Sequence, residues 1–277
     1  KVSRTGMRVG DGLGPEFRAV YDRVKARHEA TLRSLGYAYD IAELERQWFD
    51  AVEYLKEFRL IDSEYEINRL LAEGQPVLAE GAQGTLLDID FGSYPFVTSS
   101  NTVCAGACTG LGIAPSRIGE VFGIFKAYCT RVGAGPFPTE LFDETGARLR
   151  DLGHEYGPER RCGWLDMVAL KYAIMIDGVT QLIMMKSDVM NDFDTIRVAT
   201  AYEIGGERTD RFPYAVDAPI VPVYKEFKGW KCDLRKFRRY EDFPAEFKAY
   251  VEFIERETGV PVRIISVGPD RDETIVR

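Results

Sequence analysis

Apolar residues recur every three or four positions along the first seventy residues, which is the spacing of helices with one buried face. One series runs from Pro15 to about Leu35, and a proline suits the first turn of a helix. A second series is centred on Trp48, and a shorter one lies at residues 67–71. We therefore predict a mainly helical segment over about residues 12–73.

Beyond residue 75 the apolar residues form short runs that are typical of buried strands, with helical stretches between them. The predicted strands are residues 77–79, 181–185, 195–204, 212–224 and 262–267, and the predicted helices are residues 163–176 and 245–257. Strands that alternate with helices indicate an α/β fold, whose ligands bind beyond the carboxyl ends of the strands. The sequence shows neither a linker nor an internal repeat, so we expect residues 1–277 to form a single domain.

Composition and charge narrow the class of protein. The 277 residues are 45% hydrophobic, yet they contain no run of about 18 apolar residues and no hydrophobic leader. We therefore expect a cytoplasmic protein without a membrane segment. The net charge of -8 disfavours binding to nucleic acids and anionic membranes, which require a broad basic surface. The five cysteines and two isolated histidines predict reduced thiols and no structural zinc site.

Polar residues directly follow two of the predicted strands. Lys186-Ser187-Asp188 comes after the strand at 181–185, and Ser266 to Arg271 continues the last strand. An aspartate can accept hydrogen bonds from both N1–H and the exocyclic amine of guanine, whereas adenine lacks that amine. These segments therefore suit a guanine site, although on spacing alone a solvated strand end is the more common explanation, because a lysine two residues before an aspartate is common.

Three further stretches carry groups that suit a ligand. Residues 80–85 and 92–101 supply an amide, hydroxyls and backbone donors for a base, ribose or phosphate, although tight turns on a sheet would have the same composition. Residues 130–140 match neither the phosphate-binding loop nor the dinucleotide fingerprint, which disfavours a dinucleotide-dependent oxidoreductase. The Arg160-Arg161 pair suits a carboxylate or phosphate, or lies solvated at the surface. His154, without an acidic or nucleophilic neighbour, is predicted to be structural or exposed.

Long stretches of the chain resemble the adenylosuccinate synthetase family, in the order found in that family. They are KVSR with VGD near the start, EGAQGTLLDIDFGSYPFVTSSNT from Glu80, RVGAGPFPTELFDETG from Arg131, RRCGWLD from Arg160, KSDV from Lys186, PVY and GW around Tyr224 and Trp230, and SVGPDRDETI from Ser266. Together they span essentially the whole chain. The resemblance is to the C-terminal two-thirds of the family and implies a P-loop-NTPase-like sheet flanked by helices.

The resemblance implies a ligase that joins L-aspartate to IMP with hydrolysis of GTP to GDP and phosphate, on the way to AMP. A base removes the N1 proton of IMP, O6 attacks the γ-phosphoryl group of GTP, and the aspartate amine then displaces phosphate from C6. Such a transfer needs charge neutralisation by Mg²⁺ and by cationic side chains. The implied enzyme is a homodimer.

The resemblance also implies roles for individual residues. Those expected to bind IMP are Arg4, Gln83, Thr98 and Val132, with Arg4 reaching the 5'-phosphate bound in the neighbouring subunit. The residue expected to contact aspartate and the nucleotide phosphates is Arg160. Those expected to bind GTP are Lys186, Asp188, Ser266, Gly268 and Pro269.

Two parts of the family pattern have no counterpart in this sequence. The family's phosphate loop, with its aspartate base and magnesium ligand, and a later acid histidine precede the matching region. We therefore expect the catalytic base, acid and metal ligands to lie outside this chain, before Lys1. About four residues, including an arginine shared by IMP and aspartate, are lacking between Gly157 and Arg160. The second hypothesis is therefore a non-catalytic GTP-binding or regulatory fragment.

Overall fold

The computed structural model describes residues 3–155 and 160–277. The chain divides into two compact units, Lys1–Glu66 and Ile67–Arg277. The helices of the described residues are α1 (Phe17–Ser34), α2 (Ala42–Leu55), α3 (Ser63–Ala72), α4 (Ala105–Leu111), α5 (Glu144–Leu152), α6 (Met167–Asp177) and α7 (Ala245–Thr258). The strands are β1 (Phe122–Lys126), β2 (Cys129–Val132), β3 (Arg160–Gly163), β4 (Leu165–Asp166), β5 (Gln181–Met185), β6 (Thr195–Ile204), β7 (Glu207–Thr209), β8 (Ile220–Lys228), β9 (Val262–Ser266) and β10 (Thr274–Val276).

The first unit is built on α1 and α2, which confirms the helical spacing read from the sequence. Trp48 of α2 stacks on Tyr21 of α1, with ring centroids 5.1 Å apart. Glu45 accepts hydrogen bonds from Tyr21 Oη and Lys25 Nζ, both at 2.7 Å. Of residues 3–66 only Val52 is buried. Aromatic stacking and charged contacts, rather than a deep core, therefore join these two helices.

A four-stranded sheet in the order β1-β5-β9-β10 lies at the centre of the second unit. Strands β1, β5 and β9 are parallel, and β10 runs antiparallel to β9. Side chains such as Leu182, Met184 and Ile265 are fully buried in the core. The sequences of buried parallel strands are continuous runs of apolar residues. For that reason residues 181–185 and 262–267 are recognisable as strands in the sequence.

The second unit also contains a two-stranded sheet and a second four-stranded sheet, together with helices such as α6 and α7. Strands β2 and β3 form an antiparallel pair, while β6 pairs with β4 in parallel and with β7 and β8 in antiparallel orientation. Helix α7 packs into the core, where Tyr250 Oη donates to the backbone oxygen of Ala127 at 2.7 Å. Helix α6 begins where Asp166 accepts from the Ala169 N–H, and it ends before Gly178, whose φ is 65°. The α/β class with a helix-flanked parallel sheet is confirmed.

The predicted strand at residues 77–79 is wrong. These residues have no regular structure, and Leu78 is 85% exposed. An apolar triplet becomes a strand only when a neighbouring strand takes up its backbone hydrogen bonds. None of the strands in the described part of the chain pairs with residues 77–79.

Two further boundaries differ from the prediction. The strand predicted to begin at residue 212 begins at Ile220, and Pro213 and Pro219, which have no N–H to donate, lie in the irregular segment before it. The helix predicted from Gly163 begins at Met167, because β3 and β4 occupy most of residues 160–166. Strands β1, β2, β7 and β10 and helices α4 and α5 were not predicted at all. The single-domain assignment stays a prediction.

Within the described ranges, 3–155 and 160–277, no helix is long and apolar enough to cross a membrane.

Candidate functional site

The carboxyl ends of three parallel strands lie side by side in the second unit. Strand β5 lies between β1 and β9, and Met184 of β5 pairs with Ile265 of β9. The segments at residues 186–188 and 266–269 therefore leave the sheet next to each other. These are the two segments for which the sequence predicts guanine binding, so the tertiary structure brings them together.

Lys186 is oriented by its backbone and by fixed acceptors. Its φ of 57° lies in the left-handed region, which is uncommon for a residue other than glycine. This conformation turns the chain from β5 into the 3₁₀ turn Ser187–Met190. The Lys186 Nζ donates to the backbone oxygen of Gly153 at 2.6 Å and to Glu155 Oε1 at 2.8 Å. The ammonium group is therefore held in one place at the edge of the sheet.

Asp188 lies in that 3₁₀ turn, and its partly buried carboxylate can accept hydrogen bonds from a ligand. Burial raises the pKa of this carboxyl above its ordinary value, and Glu273 raises it further. Its own backbone N–H and the charge of Arg235 lower the pKa. Donors from a bound base would favour the charged form of Asp188.

The second strand-end segment is shaped by a close approach at Gly268. Ser266 Oγ donates to the backbone oxygen of Gly268 at 2.9 Å. A side chain at position 268 would overlap the carboxylate of Glu273. That carboxylate accepts from the backbone N–H of Asp270 at 3.0 Å. A larger residue at position 268 would therefore displace the Glu273 carboxylate from the Asp270 N–H, and the next residue, Pro269, is exposed.

A buried carboxylate connects Lys186 to other cationic side chains. Glu155 Oε1 accepts from Lys126 Nζ at 2.6 Å, from Lys186 Nζ and from Tyr128 Oη at 3.1 Å. Its Oε2 accepts from Arg160 Nη1 at 3.2 Å. Burial raises the pKa of Glu155, but the hydrogen bonds and charges of the two lysines outweigh it and lower the pKa to about 2. We call these five residues the Glu155 cluster, in which three cations surround one anion.

The antiparallel pair of β2 and β3 connects two of the predicted ligand sites. Val132 of β2 lies directly opposite Arg160 of β3, and Arg131 lies opposite Arg161. Residues opposite each other in a ladder are side-chain neighbours. A residue expected to bind IMP and the residue expected to contact aspartate are therefore adjacent.

Arg161 holds the loop that follows β2. Its Nε lies 2.9 Å from both carboxylate oxygens of Glu140, and its Nη2 donates to the same carboxylate. Its Nη1 donates to the backbone oxygens of Gly133 and Gly135 at 3.2 and 2.8 Å. Both arginines of the 160–161 pair are thus bound to protein carboxylates rather than only solvated.

The long loop before α4 is organised around the fully buried Asp88. Its Oδ1 accepts from the backbone N–H groups of Asp90 and Phe91 at 2.9 and 3.0 Å. Its Oδ2 accepts from those of Thr102 and Val103 at 2.7 and 3.3 Å. Burial raises the pKa of Asp88, but these backbone donors outweigh it and the pKa is lowered. One carboxylate thereby provides the partners that an irregular backbone lacks.

The same loop is attached to α6 by three hydrogen bonds. Asp177 accepts from Thr85 Oγ1 and from the backbone N–H of Cys104, both at 2.6 Å. Tyr172 Oη donates to the backbone oxygen of Phe91 at 2.7 Å. The loop is therefore fixed to a helix of the core, although it contains little regular structure.

Gln83 and Thr98 both lie on this loop. Gln83 is exposed and has a φ of 79°. The Thr98 N–H donates to the backbone oxygen of Leu87 at 2.9 Å. Arg131 Nη2 donates to the backbone oxygen of Phe96 at 3.2 Å, which connects the loop to β2. The roles of these two residues in IMP binding stay predictions.

Two further predicted features, Arg4 and the shortened stretch near Gly157, stay predictions. Arg4 belongs to the first unit, where it is exposed and has a φ of 54°. Residues 156–159 lie outside the part of the chain that the structure describes. They make up most of the stretch in which about four residues were expected to be lacking. His154 is exposed, as predicted.

The residues that organise the site could not be recognised from the sequence. Lys126, Tyr128 and Glu155 are separated by up to 29 residues and meet only through folding. Asp88 lies inside a recognised stretch, but no local spacing marks it as buried. A carboxylate that is bound by residues distant in sequence leaves no local signal.

A metal ion has no evident set of ligands in the residues for which side chains are described. Among them no three His, Cys, Asp or Glu side chains group together as a metal site would require. The five cysteines are free thiols. The Mg²⁺ implied by the family resemblance is therefore not assigned to residues of this chain.

Comparison with known proteins extends over the whole chain. The family model described as adenylosuccinate synthetase matches residues 1–275. The adenylosuccinate synthetase of Phocaeicola vulgatus is 64% identical over 281 residues, which cover all of this chain and 66% of that protein. Its counterpart from Porphyromonas gingivalis is 58% identical, again with 66% of its length covered. Because the first alignment exceeds the chain by four positions, that relative carries about four residues without a counterpart here.

A solved structure agrees with the fold. The fully ligated adenylosuccinate synthetase from Plasmodium falciparum superposes with a TM-score of 0.93 at 34% identity, over all of this chain and 67% of that one. The chain thus spans about two-thirds of the length of the relatives that it matches. With the match of the family model over residues 1–275, these similarities show that the chain belongs to the adenylosuccinate synthetase family.

Proposed function

We propose that the protein that carries this chain forms adenylosuccinate from IMP and L-aspartate, with hydrolysis of GTP to GDP and phosphate. Membership of the family supports this activity. The observation that carries the proposal is the adjacency of residues 186–188 and 266–269 beyond the paired strands β5 and β9. Ligands of α/β sheets bind at this edge.

Guanine recognition is proposed to depend on Asp188 and Lys186. The Asp188 carboxylate accepts from N1–H and from the exocyclic amine, and it would be left unpaired by adenine. Because the Lys186 ammonium is bound to Glu155, the aliphatic stem of the lysine is available to lie along the base. Ser266, Gly268 and Pro269 close the site from the neighbouring strand end.

The anionic groups of the substrates are proposed to bind beside the Glu155 cluster. Three cationic side chains around one carboxylate leave an excess of positive charge, which suits phosphate oxygens and the aspartate carboxylates. Arg160 is the proposed contact for both. Gln83, Thr98 and Val132 are proposed to contact IMP.

The reaction requires proton transfers as well as charge neutralisation. The IMP N1 proton goes to a base while O6 attacks the γ-phosphoryl group, and the aspartate amine then displaces phosphate from C6. The residues that we assign in this chain act by positioning and by electrostatic stabilisation. The base, the acid and the Mg²⁺ ligands are proposed to come from the part of the relatives that this chain does not match.

The proposed enzyme is a cytoplasmic homodimer in which subunits share their sites. Arg4 is assigned to the 5'-phosphate of IMP in the neighbouring subunit. A planar guanidinium binds a phosphate dianion through two parallel hydrogen bonds. The assignment rests on the resemblance of residues 1–11 to the family.

The activity is tested with the natural polypeptide that contains this chain. We expect it to convert IMP, aspartate and GTP into adenylosuccinate, GDP and phosphate in equal amounts. Replacing GTP by ATP should lower the rate at least about 100-fold, since adenine leaves the Asp188 carboxylate unpaired. Product formation that is equally fast with ATP would contradict the proposed site.

The alternative, a non-catalytic GTP-binding or regulatory fragment, predicts a different result. The 277-residue chain has a mass of 31.3 kDa. A natural polypeptide of that mass that binds GTP without forming adenylosuccinate would support the fragment. A clearly heavier polypeptide with activity supports the enzyme, and we then expect the 277-residue chain alone to bind GDP without turnover.

A further inference from the structure

We propose that Glu155 is a positioning residue that couples guanine recognition to the binding of aspartate and phosphate, because it holds Lys186 and Arg160 on the two oxygens of one carboxylate. The inference rests on the proposed function. It goes beyond that function by assigning control over two substrates to a residue that is itself closed off from them.

The two contacts lie on opposite sides of the carboxyl group. Lys186 Nζ binds Oε1 at 2.8 Å, and Arg160 Nη1 binds Oε2 at 3.2 Å. The lysine follows β5, whereas the arginine begins β3, so these cations belong to different sheets. Their common partner therefore connects the edge of the central sheet to the β2–β3 pair.

The carboxylate is buried, whereas the two cations are partly exposed. The side chain of Glu155 is 3% exposed, whereas those of Lys186 and Arg160 are 37% and 42% exposed. A ligand can therefore reach the cations but not the carboxylate. Any effect of Glu155 on substrates must pass through the cations that it binds, of which Lys186 and Arg160 are the most exposed.

Two additional donors hold the carboxylate in place. Lys126 Nζ and Tyr128 Oη both bind Oε1, and Lys126 Nζ also donates to Thr130 Oγ1 of β2 at 2.8 Å. In a partly buried site, charges that share one anion influence one another more strongly than in water. When an anionic ligand draws Arg160 towards itself, the Glu155 carboxylate interacts less with Arg160 and more strongly with Lys186. Such coupling is reciprocal.

A second carboxylate–arginine pair provides a matched control. Glu140 binds Arg161, the neighbour of Arg160 on β3, and Arg161 also holds the loop at residues 133–135. The described hydrogen bonds of Glu140 do not reach the lysine of the guanine segment. Glu140→Gln therefore removes a charge from the same β2–β3 pair without releasing Lys186.

The test uses the full-length natural enzyme with Glu155→Gln. We expect KM to rise about tenfold for GTP and about tenfold for aspartate, with KM for IMP changed less than about threefold, since charge-assisted contacts to both cations are weakened. Glu140→Gln should leave KM for GTP within about twofold. In a double-mutant cycle, adding Lys186→Met to Glu155→Gln should raise KM for GTP by less than the product of the single effects.

The following results would contradict the proposal. A rise of only one of the two KM values, or effects of Glu155→Gln and Lys186→Met that multiply, would show that Glu155 does not act through both cations. If Glu155→Gln does not fold, Glu155→Asp keeps the charge but is one methylene too short to hold both cations. It should fold and raise the same two KM values. If Glu155→Asp also fails to fold, or folds with both values unchanged, the role of Glu155 is structural.

Failure of the proposed function is distinguished by the wild-type protein. If that protein makes no adenylosuccinate from GTP, the function is wrong irrespective of Glu155. Calorimetric titration with GDP then tests the lysine contact by itself. We expect Glu155→Gln to weaken GDP binding about tenfold, and an unchanged affinity would overturn the inference as well.

Discussion

Two carboxylates of the site, Glu155 and Asp188, differ because of what surrounds them. The cations of its cluster lower the pKa of Glu155 to about 2, and all of its described hydrogen bonds are internal. Asp188 is partly buried, with Arg235 and Glu273 acting on its pKa in opposite directions. The first carboxylate therefore suits a positioning role. The second suits the acceptance of hydrogen bonds from a ligand.

The first prediction concerns Asp188, the residue proposed to recognise guanine. Asp188→Asn replaces one acceptor oxygen by a donor that faces a donor of guanine. We expect kcat/KM for GTP in the full-length enzyme to fall about 100-fold, equivalent to about 2.7 kcal/mol. Asp194→Asn is the control, because the Asp194 side chain is 89% exposed and pairs with Lys231. Steady-state kinetics for Asp188→Asn within about twofold of the wild type would exclude Asp188 as the guanine reader.

The second prediction concerns the pH dependence of stability. The pKa of Glu155 is about 2 in the folded protein against an ordinary value of 4.5. Its contribution to the free energy of unfolding is therefore fully present above about pH 5 and is lost as the pH falls from 4.5 towards 2. Urea denaturation of the wild type and Glu155→Gln should show a constant difference at pH 5–7 and a smaller one at pH 3. The same difference at pH 3 and pH 7 would contradict the assigned contacts.

At the level of elements, the loop before α4 behaves as a fixed part of the fold. Asp88 binds four backbone N–H groups within it, and Asp177 and Tyr172 attach it to α6. Loops that present ligand groups need such support, because an irregular backbone has no ladder of its own. The proposed IMP contacts at Gln83 and Thr98 depend on this support.

The third prediction tests that support. Asp88→Asn leaves one acceptor oxygen for four donors, and its amide nitrogen faces backbone N–H groups. We expect the free energy of unfolding of the second unit to fall by on the order of 3 kcal/mol, measured by urea denaturation. Asp90→Asn should change it by less than about 0.5 kcal/mol, since Asp90 accepts from Asn101 at an exposed position. Equal effects of the two substitutions would show that Asp88 does not organise the loop.

At the level of the whole molecule, the chain contains two compact units and matches two-thirds of its relatives. The substrate contacts that we propose are distributed unevenly between these units. Arg4 belongs to the first unit, whereas the other nine assigned residues belong to the second. A contact from Arg4 to the neighbouring subunit is therefore a hypothesis about the assembly and is tested on the assembly.

The fourth prediction uses the symmetry of a homodimer. Full-length Arg4→Leu and Asp188→Asn are mixed, and their subunits are allowed to exchange. In each mixed dimer one site receives an intact Arg4 from its neighbour and keeps its own Asp188. With equal mixing, about half of the dimers are mixed and one of their two sites is intact, so about a quarter of wild-type activity should return.

Two measurements accompany the mixing experiment. Arg4→Leu alone should raise KM for IMP far more than KM for GTP, because the phosphate is remote from the reacting O6. Subunit exchange is verified independently, for example by mass spectrometry of tagged subunits. Activity that stays at the average of the two parent variants despite exchange would place Arg4 in its own subunit's site.

Local patterns in the sequence were sufficient for part of the fold. The helices around residues 17–55 and α7, and the strands β5, β6 and β9, follow from apolar periodicity and from helix-boundary residues such as Gly259. The strand predicted at 77–79 was wrong, and β1, β2, β7 and β10 were missed. A short strand exists only when a neighbour completes its hydrogen bonds, and that neighbour is chosen by the tertiary fold.

The sequence by itself determined the class of fold, the family resemblance and the two polar segments that follow strands, since each of these is written in residues that are close along the chain. Only the tertiary structure decided that residues 186–188 lie beside residues 266–269, because the pairing of β5 with β9 joins segments about 80 residues apart. It also decided that Glu155 is buried among three cations. Burial and charge pairing are properties of residues brought together by folding, and no spacing along the chain encodes them.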